Sequence, residues 1–162
     1  MVNRIIDDTA FMQKALVYAR KAYEEDEIPI GAVVISQDGD ILGVGSNKTE
    51  QLACQSRHAE VIAIEQAGNV LQNWRLVGCT LYVTLQPCLM CMSLIGLSRI
   101  SRVVYGAKSP IFGFDLDNEE LPQVYRKHRG GISSGILEEE SQQLLEQFFR
   151  EKREKGEELR TD

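Results

Sequence analysis

Two thiols and an imidazole carry the sharpest chemistry in this sequence. A C-x-x-C pair follows proline in Pro87-Cys88-Leu89-Met90-Cys91. Proline is best tolerated in the first turn of a helix, so a helix is expected to open at Pro87 and run to about Leu97. Cys88 then lies in the first turn and Cys91 one turn on, on the same face. A helix N-terminus carries partial positive charge and unpaired N–H groups, and both favour thiolates. Two thiolates on one face can fill two corners of a tetrahedral zinc site. Taken alone, the pair fits a redox couple or two buried core cysteines equally well.

About thirty residues upstream, His58-Ala59-Glu60 opens another helical segment. A lone histidine is more often a polar core or surface residue than a ligand. This one is among only two in the chain, beside a glutamate, in a sequence that also offers two thiolates. Three protein ligands with one open position form the pattern of a catalytic zinc site, whereas a structural site closes with four. Cys54 and Cys79 lack motif spacing and His128 is far along, so no fourth ligand stands out. The open position suits water, whose pKa zinc lowers toward neutrality. Two thiolates and a neutral imidazole cancel the zinc charge, so that water needs a nearby proton acceptor. Glu60 can take the proton and later deliver it. Its bland alternative is a solvated helix glutamate.

The elements that must position these residues alternate in type. A helix is expected from Asp8 or Thr9, both good caps, with Phe11, Met12, Ala15, Leu16, Ala19, Ala22 and Tyr23 at helical spacing. The acidic run Glu24 to Glu27 follows it. Ile30 to Ile35 and Ile41 to Val44 flank the turn Gln37-Asp38-Gly39-Asp40 and read as a hairpin. His58 to Ala67 is a helix with Gly68 as its C′ residue, and Thr80 to Leu85 and Arg102 to Ala107 are strands. Lys108 to Leu121 looks like a loop, and Leu121 to Gly135 shows no clear pattern. A long helix from Leu137 carries Leu144, Leu145, Phe148 and Phe149, with glutamates in its first turn and cations later. Alternating strands and helices argue an α/β domain whose helices cover a central sheet, mixed because it starts with a hairpin.

Composition sets the outer bounds. With 162 residues, 43% hydrophobic and 26% charged, the chain suits one domain spanning residues 1–162. No apolar run approaches the roughly 20 residues of a membrane-spanning helix, and the acids near the N-terminus do not fit a signal peptide. A cytoplasmic location, without a membrane partner, is the expectation. Four cysteines are too few for a secreted disulfide scaffold of this length. The net charge of −6 argues against a basic nucleic-acid coat, though not against a local basic patch.

H-x-E followed by P-C-x-x-C resembles the zinc nucleobase-deaminase signature. Around it, Glu27-Ile28-Pro29-Ile30-Gly31-Ala32-Val33, Gly45-Ser46-Asn47, Leu71-Gln72-Asn73-Trp74-Arg75-Leu76, Thr80 to Cys88 and Ser98-Arg99-Ile100 follow in order. Together they resemble the bacterial tRNA-specific adenosine deaminases, over most of residues 8–155. The resemblance implies a three-layer α/β/α cytidine-deaminase-like fold with a mixed sheet of about five strands, and a homodimer. It implies one Zn2+ on His58, Cys88 and Cys91, and a proton shuttle on Glu60. Asn47 matches the family's base-contacting asparagine, and Ile28 and Leu85 its apolar pocket wall. The reaction implied is conversion of the wobble adenosine in a tRNA anticodon stem-loop to inosine. Gln86 departs from the family's usual glutamate, and Lys108 to Asp115 departs from its usual segment.

Two alternatives stand beside this reading. One is a deaminase of a free base or nucleoside, of guanine or cytosine type, which the acidic net charge favours because RNA binding is largely phosphate neutralisation. The other is a zinc-stabilised binding module without catalysis. The basic pieces are Arg126-Lys127-His128-Arg129 and, on the last helix, Arg150, Lys152, Arg153 and Lys155. Phe149 beside Arg150 and Arg153 could stack a splayed base while the guanidinium groups meet phosphates. A packed phenylalanine with solvated arginines is the plainer alternative.

Overall fold

The side chains of three neighbouring strands alternate between two apolar layers, and that alternation decides the architecture. The computed structural model describes residues 6–114, 122, 125 and 131–156. Its elements are α1 (Asp8–Glu24), β1 (Gly31–Ile35), β2 (Ile41–Ser46), α2 (Ala59–Leu71), β3 (Thr80–Leu85), α3 (Leu89–Leu97), β4 (Arg102–Ala107), β5 (Gly131–Ser134) and α4 (Glu138–Glu154). The sheet order is β2-β1-β3-β4-β5. β1 is antiparallel to β2 and β3, while β3, β4 and β5 are parallel, so the sheet is mixed as expected.

Ala32, Val34, Leu81, Val83, Val103 and Tyr105 face one way, against Ala59, Ala63, Ile64 and Ala67 of α2 and Met92 and Ile95 of α3. Val33, Ile35, Tyr82 and Val104 face the other way, against Met12 and Ala15 of α1. Strands buried on both faces need a helical layer on each side. α4 lies on the α1 side, where its Ser141 approaches Gly106 of β4. The result is the expected three-layer α/β/α fold.

Several element boundaries differ from the sequence expectation, each for a local reason. Asp7, not Asp8 or Thr9, caps α1, accepting from the Thr9 and Ala10 amides at 3.0 and 3.3 Å. That frees Asp8 for a long-range role. It holds Arg102 through two bonds of 2.7 Å and accepts from the Tyr82 hydroxyl at 2.8 Å, tying α1 to β3 and β4. The Arg102 guanidinium keeps the Asp8 carboxyl below its usual range. Gly68 does not end α2. The helix runs on to Leu71, and Gln72 takes the left-handed position at φ 50° while the Asn73 amide closes onto the Gly68 carbonyl. β5 falls in the segment that showed no pattern. Its four residues are mostly exposed, so burial leaves little period in them.

The approach of α2 to β2 depends on glycine. A Cβ on Gly43 or Gly45 would collide with the Ala63 or Ala59 carbonyl of α2. The missing side chains therefore let the first turn of α2 lie directly on the end of β2. Overpacking of this kind typically costs about 1–3 kcal/mol, since backbone must move to accept it. Gly45→Ala should lower the unfolding free energy by that amount in a urea titration. An unchanged midpoint would show the contact to be slack.

Candidate metal centre and active site

One end of the sheet gathers the sequence-selected residues. Gly31 pairs with Ser46 and Ala32 with Val83, so the start of β1 and the ends of β2 and β3 share an edge. Ile28 precedes β1, Asn47 follows β2, and Leu85 closes β3 with Cys88 three residues on. Ligands in open α/β sheets collect outside the carboxyl ends of strands. Ile28 and Leu85 are half-buried there, and Asn47 is 4% exposed.

Two helices begin at this edge, and each is capped by one of the selected residues. His58 is the N-cap of α2, with extended backbone at φ −73°, ψ 153°. Cys88 is the N-cap of α3, at φ −75°, ψ 172°. α3 thus starts two residues later than expected from Pro87. Pairing explains the delay: the Gln86 amide donates to the Ala107 carbonyl at 2.8 Å, the Phe114 amide donates to Pro87 at 3.1 Å, and Cys88 forms a bridge with Gly113. These bonds hold residues 86–88 extended until the helix can turn. Cys91 follows in the first turn and is fully buried.

The three side chains meet. His58 Nδ1 lies 3.7 Å from Cys88 Sγ and 3.5 Å from Cys91 Sγ. All three ligand atoms fall within 4.8 Å of one another. Zinc bonds of about 2.3 Å to sulfur and 2.0–2.1 Å to nitrogen, at the tetrahedral angle, give an N···S edge of about 3.6 Å. The observed edges straddle that value, and the soft N/S donor set is one zinc accepts, so the cluster fits a single zinc ion. Cys54 and Cys79 stand apart from it: Cys54 contacts Ser56 at 3.2 Å and Cys79 is buried in the core. His128 lies outside the described residues.

The three side chains and the nearby carboxyl perturb one another. The Cys91 thiol, and next the imidazole, hold the Cys88 thiol down to about 4, while the bond to Cys88 pushes Cys91 up. Cys88 raises His58 in turn. The carboxyl of Glu60 is 4% exposed and sits within hydrogen-bonding reach of the Cys91 thiol. Burial lifts it above the usual carboxylate range. The solvated alternative for this glutamate is thereby excluded.

Around the cluster lie Glu27 and Thr84, which the sequence did not single out individually, and Gln86, which it marked as a departure from the family pattern. Glu27 is 1% exposed and bonds to Asn47. The Thr84 hydroxyl accepts from the Gly31 amide at 3.2 Å, fixing β1 against β3. Gln86, 9% exposed, accepts from the Ser109 amide at 3.2 Å and ties in the segment after β4. The sequence hint for Glu27 was its place at the head of the family-like segment Glu27 to Val33, at the end of an acidic run.

Comparison with known proteins agrees with this geometry. Residues 5–107 match the cytidine and deoxycytidylate deaminase zinc-binding region. The tRNA-specific adenosine deaminase of Agrobacterium fabrum is 44% identical over 146 residues, covering 90% of this chain and 95% of that one. Its Bacillus subtilis counterpart is 42% identical over 149 residues, covering 91% and 92%. A solved tRNA:A34 deaminase, studied for A-to-I editing at the wobble position, superposes with a TM-score of 0.78 at 41% identity, covering 85% of this chain and 99% of that one. With the ligand cluster, the fold and these relatives in agreement, the chain belongs to the zinc-dependent cytidine and deoxycytidylate deaminase family, among the tRNA-specific adenosine deaminases.

Proposed function

We propose that this chain is a one-domain cytoplasmic enzyme that hydrolytically deaminates the wobble adenosine of a tRNA anticodon to inosine. The observation that carries the chemistry is the tetrahedral spacing of His58, Cys88 and Cys91 beside the buried carboxyl of Glu60. The substrate follows from the tRNA-specific relatives, which align with nearly the whole chain. Among the described residues the cluster has three members, as an open catalytic site requires, and not the four of a closed module.

His58, Cys88 and Cys91 hold the zinc. When bound, it supplies the Lewis acidity that makes water nucleophilic near neutral pH. The water oxygen adds to C6 of adenine, the bond from C6 to the amino nitrogen breaks, and ammonia leaves. Glu60 takes a proton from the attacking water and returns it to the departing amine. Asn47 bonds to the edge of the flipped base, and Ile28 and Leu85 supply apolar walls for its faces. A second copy of the chain covers the apolar side chains that α3 leaves exposed, Leu89, Met90 and Leu97.

The metal assignment is tested by content. Cys88→Ala with Cys91→Ala should abolish zinc binding and lower stability, because the ligands join two helices. Full occupancy in the double variant would overturn it. The proton role is tested by Glu60→Gln, which should retain zinc and fold but lose about 10²–10⁴-fold in rate. Inosine formation in total bacterial tRNA, with free adenosine, guanine and cytidine in parallel, reads both rate and substrate. Turnover of a free base in preference to tRNA would establish the alternative that the charge of −6 favours.

The last helix is the candidate RNA contact. Arg150 and Arg153 are exposed, and Phe149 is half-buried with its ring edge-on to Phe148 at 5.5 Å. Phe148 packs in turn on Tyr23 at 5.7 Å, anchoring α4 to α1. The Arg126 to Arg129 cluster lies outside the described residues. Arg150→Glu with Arg153→Glu should weaken tRNA binding and flatten its salt dependence, by about one unit of slope for each phosphate no longer neutralised. Zinc content and thermal stability should hold. An unaltered affinity and slope would assign α4 to structure alone.

A further inference from the structure

The acidic run after α1 contains one carboxylate that solvent barely reaches. Glu27 is 1% exposed. Its Oε1 accepts from the Gln51 amide at 2.6 Å, and its Oε2 accepts from the Glu50 amide at 3.2 Å and from Asn47 Nδ2 at 3.3 Å. Buried carboxylates require such donors, and here all three come from the turn that follows β2. Asn47 is itself held on every side. Its backbone N–H donates to Ile30 at 3.1 Å, and its Oδ1 accepts from the Thr49 hydroxyl at 2.9 Å.

These partners leave the amide one orientation. A carboxylate only accepts, so Asn47 must turn its NH2 toward Glu27 and its carbonyl toward the Thr49 hydroxyl. Rotation by half a turn would set carbonyl against carboxylate. After both contacts, one N–H and one carbonyl lone pair remain for a ligand, at positions fixed before any ligand arrives. Order of that kind removes a cost from binding.

We propose that Glu27 and Thr49 are positioning residues that lock the Asn47 amide in the orientation that reads the target base. This rests on the base-reading role of Asn47 given above. Neither residue need touch substrate, and both act through the amide they hold.

A double-mutant cycle separates that role from general support. The variants are Glu27→Gln, Thr49→Val, Asn47→Ala, and each of the first two combined with Asn47→Ala. Glu27→Gln keeps size but brings an NH2 group into a site filled with donors. Each single variant should lower kcat/KM for inosine formation in tRNA by about tenfold, the scale of one oriented hydrogen bond. Zinc content should be unchanged. In the Asn47→Ala background, Glu27→Gln and Thr49→Val should each add less than about twofold. A wild-type kcat/KM in Glu27→Gln, or its full factor recurring on top of Asn47→Ala, overturns the proposal while leaving Asn47 as the base reader. A harmless Asn47→Ala removes the base-reading role and the proposal with it. Where Glu27→Gln does not accumulate as folded, zinc-loaded protein, the Thr49→Val arm decides by the same criterion.

Discussion

Two cysteine ligands and a carboxyl packed into one buried corner can ionise together only if positive charge is aimed at them. That constraint organises the rest of the molecule. A zinc ion held there would supply most of the compensation, and the N-termini of α2 and α3 supply more, because each begins at a ligand-bearing cap. Both helices must therefore start at the same edge of the sheet and point the same end at one another. The chain meets this by leaving β3 directly into Cys88 and by seating α2 on β2 through Gly43 and Gly45. A ligand displaced by more than a few tenths of an ångström weakens the metal, so the contacts behind the caps carry as much weight as the caps.

The structure behind the caps is stiff for identifiable reasons. β1 is buried on both faces and joins the hairpin to the parallel half of the sheet. The Asp8, Arg102 and Tyr82 cluster pins α1 across β3 and β4 on the face away from α2. Sites built on regular elements hold their geometry better than sites on loops. Here the ligands stand on helix starts, and only the surrounding residues, Asn47 among them, come from turns. Glu27 gives that turn a buried anchor of its own.

Much of this was legible in the sequence because it repeats at short range. Pro-Cys-x-x-Cys and His-x-Glu fix ligand type and spacing within a few residues, and short continuous apolar runs mark the strands that are buried on both faces. What escaped was set by distant partners. Asp7 rather than Asp8 caps α1 because Asp8 bonds to Arg102, 94 positions away. α3 starts late because residues 86–88 pair with the chain after β4, which no local pattern announces. Glu27 sits in a run of four acids, and only the folded turn distinguishes the one that is buried. β5 offers one half-buried residue among exposed ones, too little for a period.

Gln86 brings the two kinds of reasoning together. The family pattern has glutamate there, immediately before Pro-Cys, and the substitution removes a charge two residues from a metal ligand. Its side-chain carbonyl accepts from the Ser109 amide and abuts Gly113, where a Cβ would overlap it. Gly113 is the bridge partner of Cys88, so an acceptor at position 86 holds the segment that backs the ligand. That contact needs an oxygen and not a negative charge. A carboxylate could make it too, but would add another buried anion, with the desolvation that entails. Glutamine keeps the acceptor and omits the charge. The departure therefore falls on electrostatics and spares geometry, and the ligand cluster keeps its tetrahedral spacing beside it.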